Sequence, residues 1–196
     1  QELSVDTLIH ENGAAQMEIN FMHGDAMNLA DQVFTFKRTV RETAYKYGMY
    51  ATFMAKPMQR EPGSAMHIHQ SIVDAKTGEN IFADKDGKHT AAFLSYIAGL
   101  QRYTPELISL YAPNVNSYRR LVPESDAPTN VHWAVDNRTV SLRVPSSDAS
   151  NTRVENRVPG ADANPYLAFA ASLACGYLGM IERIKPSEPV TGSAYR

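Results

Sequence analysis

Residues 56–71 read KPMQREPGSAMHIHQS and hold the most distinctive pattern in the chain. Within them, a Gly-Ser-Ala turn at 63–65 leads directly into His-x-His-x-Ser. Because successive side chains of a strand point to opposite faces, we expect His67, His69 and Ser71 to line one face. Glycine leaves the neighbouring backbone open to close approach. The pattern predicts a strand that presents metal- or phosphate-binding groups; the alternative is a core strand that merely contains two histidines.

The composition of the chain argues against several classes of protein. A length of 196 residues suits one globular domain, and a net charge of −2 gives no basic field for nucleic acid and no polybasic membrane patch. Cys175 is the only cysteine, which favours a reducing, cytoplasmic location. The longest apolar run, near residues 166–181, is shorter than the ~20 residues that span a bilayer, and the first four residues do not look like a signal or transit peptide.

Arginine is concentrated in one lysine-free part of the chain. No lysine occurs between His89 and Ile184. Arginine binds carboxylates and phosphates through two parallel hydrogen bonds, whereas lysine acts as a point charge. The segment therefore predicts an anion site; the alternative is a set of surface arginines paired with Asp and Glu. The six arginines between residues 119 and 157 are Arg119, Arg120, Arg138, Arg143, Arg153 and Arg157.

Hydrophobic periodicity predicts an α+β fold with irregularly interleaved elements. The predicted strands are 17–21, 50–55, 66–74, 130–135, 139–144 and 153–158, with an antiparallel pair near 130–144. The predicted helices are one from Asp25 or Asn28 to Gly48, then 89–103, 105–111 and, after the Asn164-Pro165 cap, a long one to about Arg183. The first helix is expected to bury the stripe Leu29, Val33, Phe36, Val40, Ala44 and Tyr47.

Carboxylates occur in two suggestive settings. Arg153, Glu155 and Arg157 would share one strand face, where the guanidinium groups keep the carboxylate ionised, as a ligand of a hard cation must be. The alternative is an exposed strand of alternating charge. Glu11 and Glu18 are seven residues apart, so an unbroken strand would send them to opposite faces, and the chain must bend for both to reach one site.

Residues 56–71 resemble the ATP-binding signature of the glutamine synthetase family: Lys-Pro, a spacer, a small-residue glycine turn and His-x-x-x-Ser. Further segments are similar to other blocks of the same family, so that the resemblance covers nearly the whole chain. They are His10–Glu18, Asn116–Pro123, Asp136–Pro145, and the Arg-x-Glu-x-Arg strand at 153–157 with its Asn-Pro-Tyr-Leu helix start. The resemblance implies a curved, largely antiparallel sheet whose inner face carries metal and arginine side chains, with helices packed outside.

The resemblance also implies an enzyme: an ATP-dependent ligase that activates the glutamate γ-carboxylate and joins it to an amine or ammonia, using Mg²⁺ or Mn²⁺. It assigns the metal to Glu11, Glu18, His67 and Glu155. It assigns the substrate to Gly63, His67, Arg120, Arg138 and Arg157. It assigns ATP to His69, Ser71, Arg143 and Arg153. It assigns catalytic roles to Arg138, Asp126 and Arg157.

Three departures from the family pattern concern the substrate. Pro62 stands where glutamine synthetases have asparagine, Asp126 where they have glutamate, and Ser150 where they have lysine. The shorter carboxylate of Asp126 would leave room for a substituted amine, as in the γ-glutamyl-amine and polyamine ligase branch. The alternatives are a glutamine synthetase that uses ammonia, a non-catalytic structural relative, and a zinc module built on His67 and His69.

The resemblance implies that residues 1–196 are part of a catalytic domain. The family has a small N-terminal domain and an earlier strand with two further metal-binding glutamates, and neither is in this sequence. Its active sites form between subunits. We therefore expect a ring-shaped, dodecamer-like homo-oligomer for the full-length protein, and no activity from this chain alone.

Overall fold

A computed structural model describes residues 3–195, which form six strands and five helices. The strands are β1 Val5–His10, β2 Met17–Phe21, β3 Ile68–Gln70, β4 Trp133–Val135, β5 Leu142–Val144 and β6 Val154–Asn156. The helices are α1 Ala26–Lys46, α2 Ala91–Tyr103, α3 Ile108–Tyr111, α4 Val115–Tyr118 and α5 Pro165–Glu182, with a 3₁₀ turn at Ala149–Asn151. The mixture of helices and mainly antiparallel strands agrees with the predicted α+β class.

The strands form an antiparallel hairpin of β1 and β2 and a separate four-stranded sheet in the order β3-β6-β5-β4. Strand β6 is antiparallel to β3 and to β5, whereas β5 is parallel to β4. The prediction that the two strands near 130–144 pair in an antiparallel manner is therefore wrong. The Asn130 side chain bonds the carbonyl of Thr139 and the amide of Ser141, which brings the chain back to the start of β4 before β5 begins.

The main core lies between one face of the four-stranded sheet and helices α2 and α5. Leu142, Val144 and Val154 point into it and meet Phe93 and Leu100 of α2. The two helices approach closely, because Gly99 and Gly179 pack backbone to backbone and neither has room for a Cβ atom. Since side chains alternate along each strand, residues 69, 143 and 155 fall on the opposite face of the sheet.

The structure confirms several predicted elements. Strand β2 and helices α1, α2 and α5 lie where the periodicity placed them, and the Asp25 and Asn164 side chains cap α1 and α5. The α1 stripe is half-buried rather than buried, and Tyr47 at its end is 74% exposed.

Other predictions fail. Residues 50–55 form no strand; there Phe53 packs edge-on against Phe36 of α1 instead of pairing through its backbone. The strands predicted at 66–74, 130–135, 139–144 and 153–158 shrink to three residues each, and the helix predicted at 105–111 to Ile108–Tyr111. Strand β1 was not predicted, and its six residues are all exposed, so no burial pattern marks it.

Within residues 3–195, none of the helices combines the length and the apolar character that crossing a membrane requires.

Candidate active site

Three ionisable side chains form a row across the polar face of the sheet. The register places His69 of β3 opposite Glu155 of β6, and Glu155 opposite Arg143 of β5. Cross-strand neighbours on one face lie about 5 Å apart, so each side chain of the row can contact the next. The sheet thus fixes the centre of the candidate site through backbone pairing.

Glu155 is the centre of this row and is 3% exposed. Its Oε1 accepts a hydrogen bond from Arg157 Nη1 at 2.8 Å and lies 3.2 Å from His67 Nδ1. Its Oε2 accepts from Arg143 Nη1 at 3.0 Å. Burial acts to raise the pKa of Glu155, but His67, Arg157, His69 and Arg143 outweigh it and hold the pKa below its ordinary value. The carboxylate is therefore ionised at neutral pH.

The two histidines are neutral at the same pH. Burial and the positive charge of Arg157 lower the pKa of His67 to about 3. Burial also lowers the pKa of His69, whose Nδ1 accepts a hydrogen bond from Arg153 Nε at 3.2 Å. A neutral imidazole keeps a lone pair, which is the form that binds a metal ion.

Arg143 and Arg157 each have one nitrogen atom without a hydrogen-bond partner in the described part of the chain. The Nε atoms of both are buried and have no hydrogen-bond partner among the described residues. Leaving a buried donor of a charged group unpaired is costly, so these two atoms suit an anionic ligand that would accept hydrogen bonds from them. Each guanidinium therefore holds Glu155 on one side and offers an N–H on another.

Arg120 supports the same region from beneath. Its guanidinium is 3% exposed and donates to the carbonyls of Val158 and Arg157 at 2.8 Å each. Burial and the charge of Arg157 lower the pKa of Arg120 to about 10, so it remains a cation. Gly63 lies against it, because a Cβ at position 63 would come within 2.7 Å of Arg120 Cγ and of the Ala55 carbonyl.

The loop at 121–128 approaches the site from another direction. Asp126 and Glu124 adopt left-handed backbone conformations, with φ of 59° and 58°. Arg157 Nη2 reaches the Asp126 carbonyl oxygen at 3.5 Å, a long hydrogen bond. The predicted residue Asp126 thus lies beside Arg157, and its own side chain is exposed.

Glu11 and Glu18 belong to the β1–β2 hairpin. Glu18 of β2 pairs with Ile9 of β1, and Glu11 follows directly after the end of β1, where its amide donates to the Gln16 carbonyl at 2.9 Å. The turn between the two strands is the bend that the odd spacing of the two glutamates requires. Among residues 3–195, however, no group of three or more His, Cys, Asp or Glu side chains is arranged to hold a metal ion.

One side chain ties this hairpin to the rest of the site. Gln16 Nε2 donates to the Gly63 carbonyl at 2.9 Å and to Ser64 Oγ at 3.1 Å, and its Oε1 accepts from the Gly13 amide at 3.1 Å. The Ala14 amide also donates to Glu61 Oε2 at 3.0 Å. The hairpin turn thus docks on the loop that carries Gly63.

The chain as a whole, residues 1–196, matches the family described as glutamine synthetase, catalytic domain. The chain belongs to the glutamine synthetase family. It is 43% identical over 188 residues to a glutamate–isopropylamine ligase of a Pseudomonas species, covering 95% of this chain and 41% of that protein. It is 42% identical over 194 residues to the gamma-glutamylputrescine synthetase of Escherichia coli K12, covering 98% and 41%.

A glutamine synthetase of Thermococcus kodakarensis is similar to the same degree, at 41% identity over 193 residues, 98% of this chain and 43% of that protein. The chain therefore spans about two fifths of the length of these relatives. Similarity of this kind extends equally to ligases of organic amines and to glutamine synthetases.

Two of the four side chains expected to hold the divalent cation of the glutamine synthetase family lie together. Glu155 is ionised and His67 is neutral, and the two side chains lie 3.2 Å apart. Among residues 3–195, the carboxylates of Glu11 and Glu18 do not complete this pair into a group of three or more ligands. Glu11 and Glu18 lie on a hairpin that is docked beside the site.

The structure joins most of the predicted site residues. Glu155, Arg157 and Arg120 are the centre of one network of hydrogen bonds and close contacts. The other predicted residues in this network are Gly63, His67, His69, Asp126, Arg143 and Arg153. Among the described residues, no hydrogen bond or ion pair joins this network to the side chains of Ser71, Arg138, Glu11 or Glu18. Ser71 and Arg138 are exposed, and Arg138 lies in the loop between β4 and β5.

Sequence reasoning missed the roles of three residues. Gln16 lies within the family-like segment His10–Glu18, but sequence reasoning gave it no role. Asp162 and Tyr195 also received no role. Asp162 Oδ2 accepts a hydrogen bond from Ser117 Oγ at 2.6 Å, and the Tyr195 hydroxyl donates one to the Ala127 carbonyl at 2.9 Å. Their contacts link segments far apart in the chain, so only the fold reveals them.

Proposed function

We propose that the full-length protein is an ATP-dependent ligase that converts the γ-carboxylate of glutamate to an acyl phosphate and joins it to an organic amine. The observation that carries this proposal is the arrangement of Arg143 and Arg157 around Glu155, with two buried Nε donors unused. A ligase of this class must bring the anionic phosphates of ATP to an anionic carboxylate, and unpaired buried guanidinium donors suit that task.

In the first step, a γ-carboxylate oxygen of glutamate forms a bond to the γ-phosphorus of ATP, and the bond to ADP breaks. Arg157 and Arg138 would stabilise the negative charge on the transferring group, while Arg143, Arg153, His69 and Ser71 would hold the nucleotide. Arg120 and Gly63 would bind the glutamate. A divalent cation, which Glu11, Glu18, His67 and Glu155 would hold, supplies further charge neutralisation when bound.

In the second step, the amine nitrogen attacks the acyl carbon, a C–N bond forms and phosphate leaves. The ammonium-like nitrogen must lose a proton, and a nearby carboxylate can accept it. Asp126 is our candidate, since its backbone carbonyl lies beside Arg157. This long hydrogen bond brings the loop that carries the carboxylate next to Arg157.

The choice of an organic amine rests on Pro62, Asp126 and Ser150 and on similarity to the glutamate–isopropylamine ligase and the gamma-glutamylputrescine synthetase. An aspartate has one methylene fewer than a glutamate, and the space so gained suits a substituted amine. The second candidate is glutamine synthesis from ammonia, which similarity to the Thermococcus enzyme favours. Family membership also leads us to propose a ring-type homo-oligomer, dodecamer-like in size.

The test is ATP-dependent phosphate release by the full-length protein with Mg²⁺ and glutamate. Ammonia is compared with a panel of mono-, di- and polyamines, including isopropylamine and putrescine. We expect release at least about tenfold faster with one organic amine than with ammonia, which corresponds to about 1.4 kcal/mol of transition-state preference. Glu155→Ala serves as the control and should remove the metal-dependent signal.

The other outcomes each favour another function. Faster release with ammonia would identify a glutamine synthetase that tolerates Asp126. The absence of phosphate release with every amine and with ammonia would favour a non-catalytic relative of the family.

A further inference from the structure

The segment after α5 lies along the edge of the four-stranded sheet. We call residues 187–195 the strap. It begins where Trp133 Nε1 donates to the Ser187 carbonyl at 2.7 Å. It continues where the Val190 amide donates to the Trp133 carbonyl at 3.0 Å, on the edge strand β4. The strap is thus fixed to the sheet by backbone as well as side-chain hydrogen bonds.

The strap next holds the loop between β4 and β5, which carries Arg138. Asn137 Nδ2 donates to the Gly192 carbonyl at 2.7 Å, and the Ala194 amide donates to Thr139 Oγ1 at 2.9 Å. These two contacts lie on either side of Arg138 in sequence. The strap therefore fixes both ends of the short turn from which this arginine projects.

At its last residue the strap contacts the loop at 121–128. The Tyr195 hydroxyl donates to the Ala127 carbonyl at 2.9 Å, one residue after Asp126. Burial and the negative charge of Asp126 raise the pKa of Tyr195, against the opposing charges of Arg157 and Arg120. The hydroxyl is therefore protonated at neutral pH and remains a donor.

Ala127 is buried at the end of the loop, but among the described residues the loop makes few other hydrogen bonds to the rest of the protein. Ser125 Oγ donates to carbonyls of its own segment, at Arg120 and Val122, and Arg157 reaches the Asp126 carbonyl only at 3.5 Å. Two non-glycine residues of the loop have positive φ. Backbone strain of this kind persists only where surrounding contacts hold the conformation in place.

We propose that Tyr195 is a positioning residue: its hydrogen bond to the Ala127 carbonyl holds the 121–128 loop so that Asp126 faces the incoming amine. This inference rests on the proposed ligase function and adds to it a residue that determines how the amine is bound. The same strap also contacts the turn that carries Arg138. One segment therefore positions both the arginine proposed to bind the phosphoryl group and the loop proposed to bind the amine.

The experiment compares Tyr195→Phe with Tyr103→Phe in the full-length protein. Tyr103 is a matched control, because its hydroxyl also donates a hydrogen bond, to Glu182 at 2.7 Å, but on the exposed surface between α2 and α5. We expect Tyr195→Phe to lower kcat/KM for the amine about fivefold, the effect of one lost hydrogen bond, with KM for ATP and glutamate unchanged. Tyr103→Phe should leave all three unchanged.

Hydrogen exchange of the amides of residues 121–128 is measured on the same variants. We expect faster exchange in Tyr195→Phe alone. Unchanged exchange, or an equal loss of kcat/KM for amine, ATP and glutamate, would overturn the positioning role. Because exchange needs no turnover, it tests the hydrogen bond even if the wild type releases no phosphate, and that failure would then belong to the proposed function.

Discussion

Gly63 shows how a single missing side chain shapes the site. The residue lies between the Ala55 carbonyl and the aliphatic part of Arg120, and a Cβ there would come within 2.7 Å of both. Arg120 cannot move away easily, because it donates to two backbone carbonyls. A substitution at this position must therefore shift either the loop or the arginine.

We expect Gly63→Ala to destabilise the protein by about 1–3 kcal/mol, the usual cost of overpacking, and to raise KM for glutamate. Gly24→Ala is the matched control, because a Cβ there meets nothing within 4 Å. Thermal unfolding and steady-state kinetics of the two variants decide the matter. Equal behaviour of the two would show that the loop yields freely and that Gly63 has no steric role.

Lys37 provides a prediction on pH. Its Nζ donates to the Ala163 carbonyl at 2.9 Å, and burial together with the charge of Arg41 lowers its pKa from 10.5 to about 8. A lysine whose pKa is lowered by folding binds its proton more tightly when unfolded. Between about pH 8 and 10.5 the unfolded chain therefore holds more protons, and stability rises with pH through that interval.

Against Lys37→Met, which cannot titrate, we expect the melting temperature of the wild type to rise between pH 8 and 10.5. Below pH 8 the difference between the two proteins should stay constant. A parallel pH dependence of both melting temperatures throughout would show that folding does not shift this lysine.

At the scale of elements, the hairpin and the Gly63 loop depend on Gln16. This side chain makes three hydrogen bonds and is the part of the hairpin that bonds to residues 63 and 64. Glu11 and Glu18 flank it in sequence, so their position relative to Glu155 follows from this contact. Groups that orient metal ligands typically change metal affinity by ~10–100-fold when they are removed.

We expect Gln16→Leu to weaken Mn²⁺ binding by about tenfold, the lower end of that range. Calorimetry on the full-length protein measures the Mn²⁺ affinity. Gln59→Leu, at an exposed position of the neighbouring loop, is the control and should bind as the wild type does. Unchanged Mn²⁺ affinity in Gln16→Leu would mean that the hairpin is held by other contacts.

The elements also show where sequence reasoning succeeds. Long helices such as α1 and α5 are marked by periodicity and caps, and both were predicted with nearly correct ends. Strands of three residues contain too few alternations to define their ends or their direction. The parallel pairing of β4 and β5 is accompanied by hydrogen bonds of the Asn130 side chain to Thr139 and Ser141, which no local pattern records.

On the scale of the whole molecule, the sheet separates a polar site from an apolar core, and a buried polar network joins the layers. Tyr96 of α2 donates to Gln70 of β3 at 2.7 Å, and Gln70 donates to Ser172 of α5 at 2.8 Å. Asn156 of β6 donates to the same Ser172 oxygen at 3.0 Å. The network holds β3 and β6, which also carry His69 and Glu155, against helices α2 and α5.

Sequence reasoning found the residues of the polar face because they occur in motifs, and alternation placed Glu155 between its arginines. It could not find the network behind them. Gln70, Asn156 and Ser172 received no role in the sequence analysis, and only the packed layers show that their donors and acceptors match. The same holds for the strap, whose contacts depend on the path of the chain after α5.

Ser172→Ala tests whether this network determines the stability of the whole molecule. The substitution removes one oxygen and almost no volume, but it leaves the Gln70 and Asn156 amides without their acceptor in a buried place. Each unpaired buried donor costs about 1–3 kcal/mol, so we expect a loss of about 2–4 kcal/mol in the unfolding free energy. Ser109→Ala, at an exposed position of α3, should cost nothing measurable. If both serines behaved alike, the apolar core alone would hold the layers together, and the alignment of Glu155 and His69 would have to come from backbone pairing rather than from the polar network beneath it.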